Sequence, residues 1–221
     1  MFSFRIPNIN KLKIERKNSN FVPFGHRCSS AVILNFSSLR KYSLPFDWTN
    51  PSYPKKIQSV IENNFDNFIP DVQNNIFCNN YDIFLAHFNK NIREGIKQYE
   101  RRIERFKNIM REDKYFYFIY FNEDYLYDEK YRDENFSENL FMEMLELEKY
   151  IKKKYNITNY NILYFDFIEY KVPNDSNIIN IVINTKKIWN DPKESEYAKL
   201  RIFCAKILSM LFNTNMSIKN V

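Results

Sequence analysis

The chain has 221 residues and 44 % apolar side chains, so it is long and apolar enough to bury the core of a single domain. Its net charge of +6 is modest for that length and is explained by solvated surface lysines, so the charge does not predict a nucleic-acid or anionic-membrane partner. No apolar run approaches the length of a membrane span, and the N-terminus lacks the apolar segment of a secretory signal.

Cysteine usage indicates a reducing compartment. The three cysteines, Cys28, Cys78 and Cys204, are odd in number and widely spaced, which excludes a disulfide framework and a zinc-binding spacing. We therefore expect a cytoplasmic protein. With two histidines, dispersed acids and no glycine-rich phosphate-binding loop, the sequence predicts no metal site and no other cofactor.

The first predicted unit is a strand, a turn and a helix around Gly25, one of only two glycines. The apolar run 21–24 predicts the strand, and the apolar residues within 29–39 predict the helix. Cys28 therefore falls at or near a helix N-terminus, where unpaired N–H groups and the helix dipole favour a thiolate. Because glycine is so rare, we expect asparagine to occupy backbone positions of positive φ.

Helices and short strands alternate in the middle of the chain. Pro54 suits the first turn of a helix, and two apolar runs joined at Asn79-Asn80 predict a hairpin. Apolar residues spaced by three and four positions predict the longest helix of this region. The predicted elements are a helix over 54–63, strands over 75–78 and 81–88, and a helix over 91–111.

The C-terminal half continues the alternation. Seven consecutive apolar or aromatic residues at 115–121 predict a central strand, because such a run is buried on both faces. After a charged loop at 125–136, Ser137 is the predicted cap of a helix that ends near Lys154. Asp191-Pro192 predicts the start of the last helix. Two further strands are predicted at 161–167 and 178–183.

This order predicts an α/β fold: one layered domain with a mixed, mostly parallel sheet flanked by helices. We assign the domain to residues 20–221 and interpret the basic residues 1–19 as an N-terminal arm or edge extension. A papain-like α+β arrangement, in which helices and strands are more segregated, is the alternative.

Two blocks of the sequence resemble the family described as putative papain-like cysteine peptidases, which is found in bacteria and large DNA viruses. The second block is FLAHFN at 84–89 followed by YERRIERF at 99–106. The composition, rich in Asn, Ile, Lys and Phe, is also typical of an AT-rich genome. The matching residues of the first block are Gly25, Cys28, Ala31, Leu39, Arg40, Ser43, Pro45, Phe46, Asp47 and Trp48.

The resemblance implies that Cys28 is a nucleophile and that His87, at the matching position, is its general base. The residues alone also permit Cys28 to be a small buried side chain and His87 to be packed at a strand edge. His26 is a rival base, because it lies two residues from Cys28. The family usually has a small polar residue there, so His26 is a departure from its pattern.

The residue that orients the base is open at this point. Asp47 lies between two aromatic residues, so its carboxylate needs a partner, which could be a histidine, Arg40 or Arg102. Papain-like enzymes take this residue from after the histidine, which here indicates Asn122 or Asp124. Asp47 as a turn acid is the plain alternative.

Arginines of the matched blocks are candidate substrate-binding residues, since a guanidinium can hold a carboxylate or phosphate. Arg40 and Arg102 are the candidates, with His26 as a third, and an internal ion pair is the alternative for either arginine. Cys78 and Cys204 are predicted to be core residues.

The resemblance favours a cysteine-dependent hydrolase, peptidase or acyl transferase that acts on an amide or thioester bond. Its substrate would be a peptide, a protein or a small amide. Two alternatives stay open: an inactive binding or host-interaction module on the same fold, and an α/β group-transfer enzyme for a sugar or nucleotide. The sequence does not indicate the oligomeric state.

Overall fold

A computed structural model describes residues 2–70, 77–89, 91–126, 133–185 and 194–217. Its centre is a five-stranded sheet in the order β1-β7-β6-β5-β2. β2, β5, β6 and β7 run parallel, and β1 is antiparallel to β7 at the edge. The strands are β1 (Phe2–Arg5), β2 (Ser19–Pro23), β5 (Tyr115–Phe121), β6 (Tyr160–Asp166) and β7 (Ile178–Thr185).

Apolar runs without alternation form the middle of the sheet. All seven residues of β5 and all seven of β6 are buried, as the sequence predicts for strands covered on both faces. The edge strand β1 instead alternates between half-buried and exposed residues. The basic arm therefore contributes an edge strand to the sheet.

Helices cover both faces of the sheet, which confirms the α/β prediction. The cluster on one face includes Leu34 of α1 and Leu208 of α5, packed with residues of the strands. The cluster on the other face includes Val60 of α2, Phe106 of α3 and Met144 of α4. The helices are α1 (Ser29–Phe36), α2 (Pro54–Glu62), α3 (Ile92–Ile109), α4 (Glu134–Tyr155) and α5 (Glu194–Phe212).

A small second sheet lies beside the start of α2. It consists of β3 (Thr49–Asn50) and β4 (Phe84–Leu85), paired antiparallel, and follows a 3-10 helix over Pro45–Trp48. Cys78 forms a single antiparallel β-bridge to Phe84, so the predicted hairpin is present but shorter than predicted. Residues 75 and 76 of its first predicted strand lie outside the described residues.

Three details differ from the predictions or complete them. α4 is capped by Asp133, whose side chain accepts from the Asn135 N–H, so Ser137 lies in the first turn and is not the cap. Cys78 is exposed and does not belong to the core, whereas Cys204 is fully buried. The predicted start of the last helix at Asp191-Pro192 lies outside the described residues.

Asparagine occupies most of the left-handed backbone positions, as the scarcity of glycine predicts. Neither described glycine has a positive φ. The non-glycine residues with positive φ are Ser38, Asn64, Phe65, Asn67, Asp82, Asn156 and Asn213. Among the described helices, none combines the length and apolar character needed to cross a membrane.

Candidate active site

Cys28 lies where β2 passes into α1. It is the N-cap residue of the helix, and its carbonyl accepts the first helical hydrogen bond from the Val32 N–H at 3.0 Å. The side chain is partly exposed. The prediction of a thiol at a helix N-terminus is therefore confirmed in its geometry, and solvent reaches the cysteine.

The turn before Cys28 is tight because Gly25 has no side chain. A Cβ at Gly25 would lie 2.3 Å from the carbonyl oxygen of Arg27, closer than any real contact. Two hydrogen bonds from Ser52 stabilise the turn. Its hydroxyl donates to the Gly25 carbonyl, and its N–H donates to the His26 carbonyl at 3.1 Å. The turn is thus compact, and the carbonyl groups of Gly25 and His26 are both held by hydrogen bonds.

His26 and Asp124 form a buried pair beside the cysteine. His26 Nε2 lies 2.5 Å from Oδ2 of Asp124, and both side chains are almost fully buried. The imidazole stacks on the ring of Tyr53, with 4.7 Å between ring centres. Arg27 Nε donates to the other carboxylate oxygen of Asp124 at 3.0 Å. The ring is therefore held in one orientation by packing and by a carboxylate.

The surroundings of Asp124 keep it ionised. Burial alone would raise its pKa, but the hydrogen bond and charge of His26, together with Arg27, outweigh burial and lower the pKa below its usual value. The contact of His26 Nε2 with Asp124 is short but poorly aligned for a hydrogen bond, and Nδ1 has no hydrogen-bond partner within the described residues. A carboxylate on one nitrogen and an unengaged second nitrogen is the arrangement a general base requires.

A second buried network holds the first turn of α1. The Ser29 hydroxyl donates to the Glu123 carboxylate and accepts from Arg201 Nε at 2.7 Å. Arg201 Nη2 also donates to Glu123 Oε1 at 2.8 Å. These contacts tie α1, the end of β5 and α5 together next to Cys28.

Asn122 belongs to a third hydrogen-bonded group, with Asp166 and Tyr170, at the same edge of the sheet. Its amide donates to Asp166 Oδ2 at 3.1 Å, and the Tyr170 hydroxyl donates to the same oxygen at 2.9 Å. Asp166 is fully buried, and burial raises its pKa to about 6 in spite of the hydrogen bonds that favour its charge. Within the described residues, the Asn122 side chain thus hydrogen-bonds to a carboxylate and to no histidine.

Two predicted catalytic residues lie by the small second sheet. His87 is exposed, and its ring meets the Trp48 indole edge-on at 4.7 Å. Asp47 is fully buried and accepts from Arg40 and from the Leu44 N–H, the latter at 3.1 Å. The structure therefore places Asp47 with Arg40 and places His87 with Trp48.

The two candidate arginines differ in exposure. Arg40 is partly exposed, binds Asp47 and lies over the Trp48 ring at 5.7 Å. Arg102 faces inward from α3 and is 5 % exposed. An internal ion pair is thus the observed state of Arg40, whereas two side-chain nitrogens of Arg102, Nε and Nη1, have no hydrogen-bond partner within the described residues.

Sequence reasoning missed several of these residues. Asp124 was one of the two residues predicted to orient the base, but Glu123 and Asp166 were not singled out. Glu123 lies just after β5 and Asp166 ends β6, so a search for acids at the carboxyl ends of parallel strands would have found both. Arg201 carried no such signal, because it lies on the outer helix α5, far along the chain from the residues it contacts.

The fold and the site define a class: an α/β protein with a partly exposed cysteine at a helix N-terminus beside a buried histidine–carboxylate pair. The family model described as "Putative papain-like cysteine peptidase" matches residues 19–76, about a quarter of the chain. The resemblance predicted from the first block is therefore confirmed over that range. Neither the curated proteins nor the solved structures contain a match to this chain.

Proposed function

We propose that the protein is a cysteine-dependent hydrolase or acyl transferase that acts on an amide or thioester bond, with Cys28 as nucleophile. The family match over 19–76 supports the reaction class. The observation that carries the assignment of the site is the buried His26–Asp124 contact of 2.5 Å, located in the same turn as Cys28. A peptide, protein or small amide would be the substrate.

In this proposal His26, and not His87, is the general base. His26 lies two residues from the thiol, and its ring is fixed by Tyr53 and Asp124. His87 is exposed and is packed on one side by Trp48. A base must be held in a constant orientation toward its nucleophile, and the ring of His26 is held more firmly than the exposed ring of His87.

The roles of the other residues follow from their places. Asp124 orients His26 and stabilises its protonated form, as carboxylates do in catalytic triads. We assign the oxyanion hole to the N–H groups of the first turn of α1, which have no partner within the helix. The Ser29–Glu123–Arg201 network positions that turn.

The proposed reaction has two halves, acylation of Cys28 and hydrolysis of the resulting thioester. Cys28 Sγ bonds to the carbonyl carbon while His26 Nδ1 takes the thiol proton. As the carbon–nitrogen bond of the amide breaks, the same proton passes to the leaving amine. Water, deprotonated by His26, hydrolyses the thioester, which releases the carboxylic acid and restores the thiol.

The test is the pH dependence of Cys28 alkylation by iodoacetamide. Cys78 is exposed and would also react, so Cys78→Ser is the background, and Cys204 is buried with its thiol pKa raised by burial. We expect Cys28 to react with an apparent pKa below the ordinary value of about 8.5. His26→Ala should raise this value, which slows alkylation at pH 6.5 about tenfold for each unit of increase.

His87→Ala in the same background is the matched control. It should leave the alkylation profile of Cys28 unchanged. The reverse ranking is that His87→Ala raises the apparent pKa of Cys28 and His26→Ala leaves it unchanged. That result would assign the base to His87, as the family resemblance implies. Asp124→Asn should act in the direction of His26→Ala, and a thermal melt of each variant checks that it is folded.

Cys28→Ala separates an enzyme from a binding module. Once a substrate is found, this variant should lose turnover by several orders of magnitude and still bind the substrate. A Cys28→Ala variant that keeps its activity would end the thiol mechanism.

A further inference from the structure

Arg102 is a buried cation with incomplete partners. It is 5 % exposed, and two of its donor nitrogens, Nε and Nη1, have no hydrogen-bond partner within the described residues. Its guanidinium lies over the ring of Tyr99, 4.8 Å from the ring centre. Among the ion pairs between described residues, none includes Arg102.

The groups around Arg102 do not cancel its charge. Asp47 is near enough to interact with Arg102 electrostatically, but its Oδ2 is bound by Arg40. Two guanidinium groups thus face one carboxylate, which leaves the cluster with a net charge of +1.

Further donors in this cluster also lack partners. Within the described residues, no acceptor meets Arg40 Nε. The fully buried hydroxyl of Tyr99 has the Arg102 guanidinium, itself a donor, as a polar neighbour, so it likewise meets no acceptor. Burial raises the pKa of Tyr99 to about 12, so its hydroxyl keeps its proton and can donate. Asp47 Oδ1 is the one unpartnered acceptor of the set.

Buried donors without partners cost free energy, and an unpaired buried charge costs more. A water molecule would satisfy the hydrogen bonds but would leave the net charge in place. An anion would satisfy the donors and cancel the charge together.

We propose that Arg102, Arg40 and Tyr99 bind one small inorganic anion of the chloride class beneath the 3-10 helix Pro45–Trp48. The anion joins α3 to this helix, which α3 already contacts. The site uses none of the residues assigned to the proposed reaction, so its occupancy is expected to stabilise the fold without taking part in that reaction.

The experiment compares melting temperatures in chloride and in gluconate, which is too large for a buried site, at constant ionic strength and pH 7.5. Above the dissociation constant, each tenfold increase in chloride should raise Tm by about 3–5 °C for a chain of this size. A crystal grown in bromide should show an anomalous peak within hydrogen-bond distance of Arg102. Equal Tm in both salts and no bromide peak would mean that water fills the site, and the proposal would be wrong.

Variants locate the effect. Arg102→Met removes the uncompensated guanidinium and should abolish the difference between chloride and gluconate. Arg101→Met, on the exposed side of the same helix, is the matched control and should keep it. A chloride effect that survives Arg102→Met would place the anion elsewhere and overturn the assignment. If Arg102→Met does not fold, the wild-type salt series and the bromide peak decide the question alone.

Discussion

Asp166 is the residue whose ionisation should affect stability most directly. Its fully buried carboxyl accepts from the Phe167 N–H at 2.6 Å, from Asn122 and from Tyr170. Burial is the largest influence on its pKa and raises it from 3.8 to about 6. The folded state therefore binds this proton more tightly than the unfolded state does.

The sign of the effect follows from linkage. Stability from this carboxyl is fully present below pH 3.8 and is lost as the pH rises through 6. Asp166→Asn removes the ionisation, so at pH 7.5 we expect it to be more stable than wild type, by on the order of 2 kcal/mol. Urea unfolding of both proteins at pH 4.5, 6 and 7.5 measures this. A difference that does not change between pH 4.5 and 7.5 would contradict it.

The amide of Asn122 can accommodate that change. Its Oδ1 has no partner among the described residues, while its Nδ2 donates to Asp166. Rotation of the amide would let Oδ1 accept from a protonated Asp166 or from an asparagine at that position. The hydrogen bond to Asn122 is therefore kept in Asp166→Asn.

At the scale of single residues, the sequence predicted the position of the Cys28 thiol in the fold better than the contacts of the side chains around it. Gly25 and the apolar run after Cys28 were enough to place the thiol at a helix N-terminus. The direction of the His26 ring depends on Tyr53 and Asp124, which approach from distant parts of the chain. No local pattern contains that information, so spacing alone could not rank His26 against His87.

Among the elements, α5 contacts the site through the Arg201–Glu123 ion pair. Arg201 reaches Glu123 and Ser29, and the side chain of Glu123 is 1 % exposed. Removing the cation leaves a buried carboxylate that has lost this counter-charge, which typically costs about 3–5 kcal/mol.

We therefore expect Arg201→Met to lower Tm by about 6–12 °C, taking about 3 kcal/mol and a chain of this size. The double variant Arg201→Met with Glu123→Gln removes both charges and should recover much of the loss. Lys199→Met, exposed on the same helix, is the control and should change Tm little. If the double variant is no more stable than Arg201→Met, the loss comes from packing and not from the unpaired charge.

Element positions were predictable where the periodicity was strong. α2 and α3 fall within two residues of their predicted bounds, because Pro54 and the apolar spacing are local signals. α4 begins at Glu134, three residues before the predicted cap, because Asp133 competes successfully with Ser137 for that role. The exposure of Cys78 depends on how its segment packs against the small sheet. The apolar residues next to it in sequence do not predict that packing.

For the whole molecule, the composition of the strands predicted the fold class, and long-range pairing determined the strand order. The buried run 115–121 indicated a central strand. The arm, by contrast, is basic and rich in asparagine, and it becomes the edge strand β1 only because β7 offers it an open side. Which strands are neighbours is set by packing between segments far apart in sequence.

This sheet order predicts a gradient of protection against hydrogen exchange. β5 and β6 have a parallel neighbour on each side and are fully buried, so their amides should open only with global unfolding. β1 pairs on one side, is four residues long and has alternate exposed residues, so it should open by local fraying. The amides of β1 should therefore have opening free energies roughly 3 kcal/mol or more below those of β5.

Native-state exchange followed by NMR or by mass spectrometry of peptides measures both strands in one sample. The turn that carries Cys28 follows β2, and β2 pairs with β5. Protection of Phe116–Phe121 in β5 therefore also reports how rigidly the site is held. Equal exchange in β1 and β5 would mean that the sheet unfolds as one unit and that the arm belongs to its stable core. Rapid exchange in β5 with slow exchange in β1 would contradict the central position of β5, and with it the frame that brings Asp124 to His26.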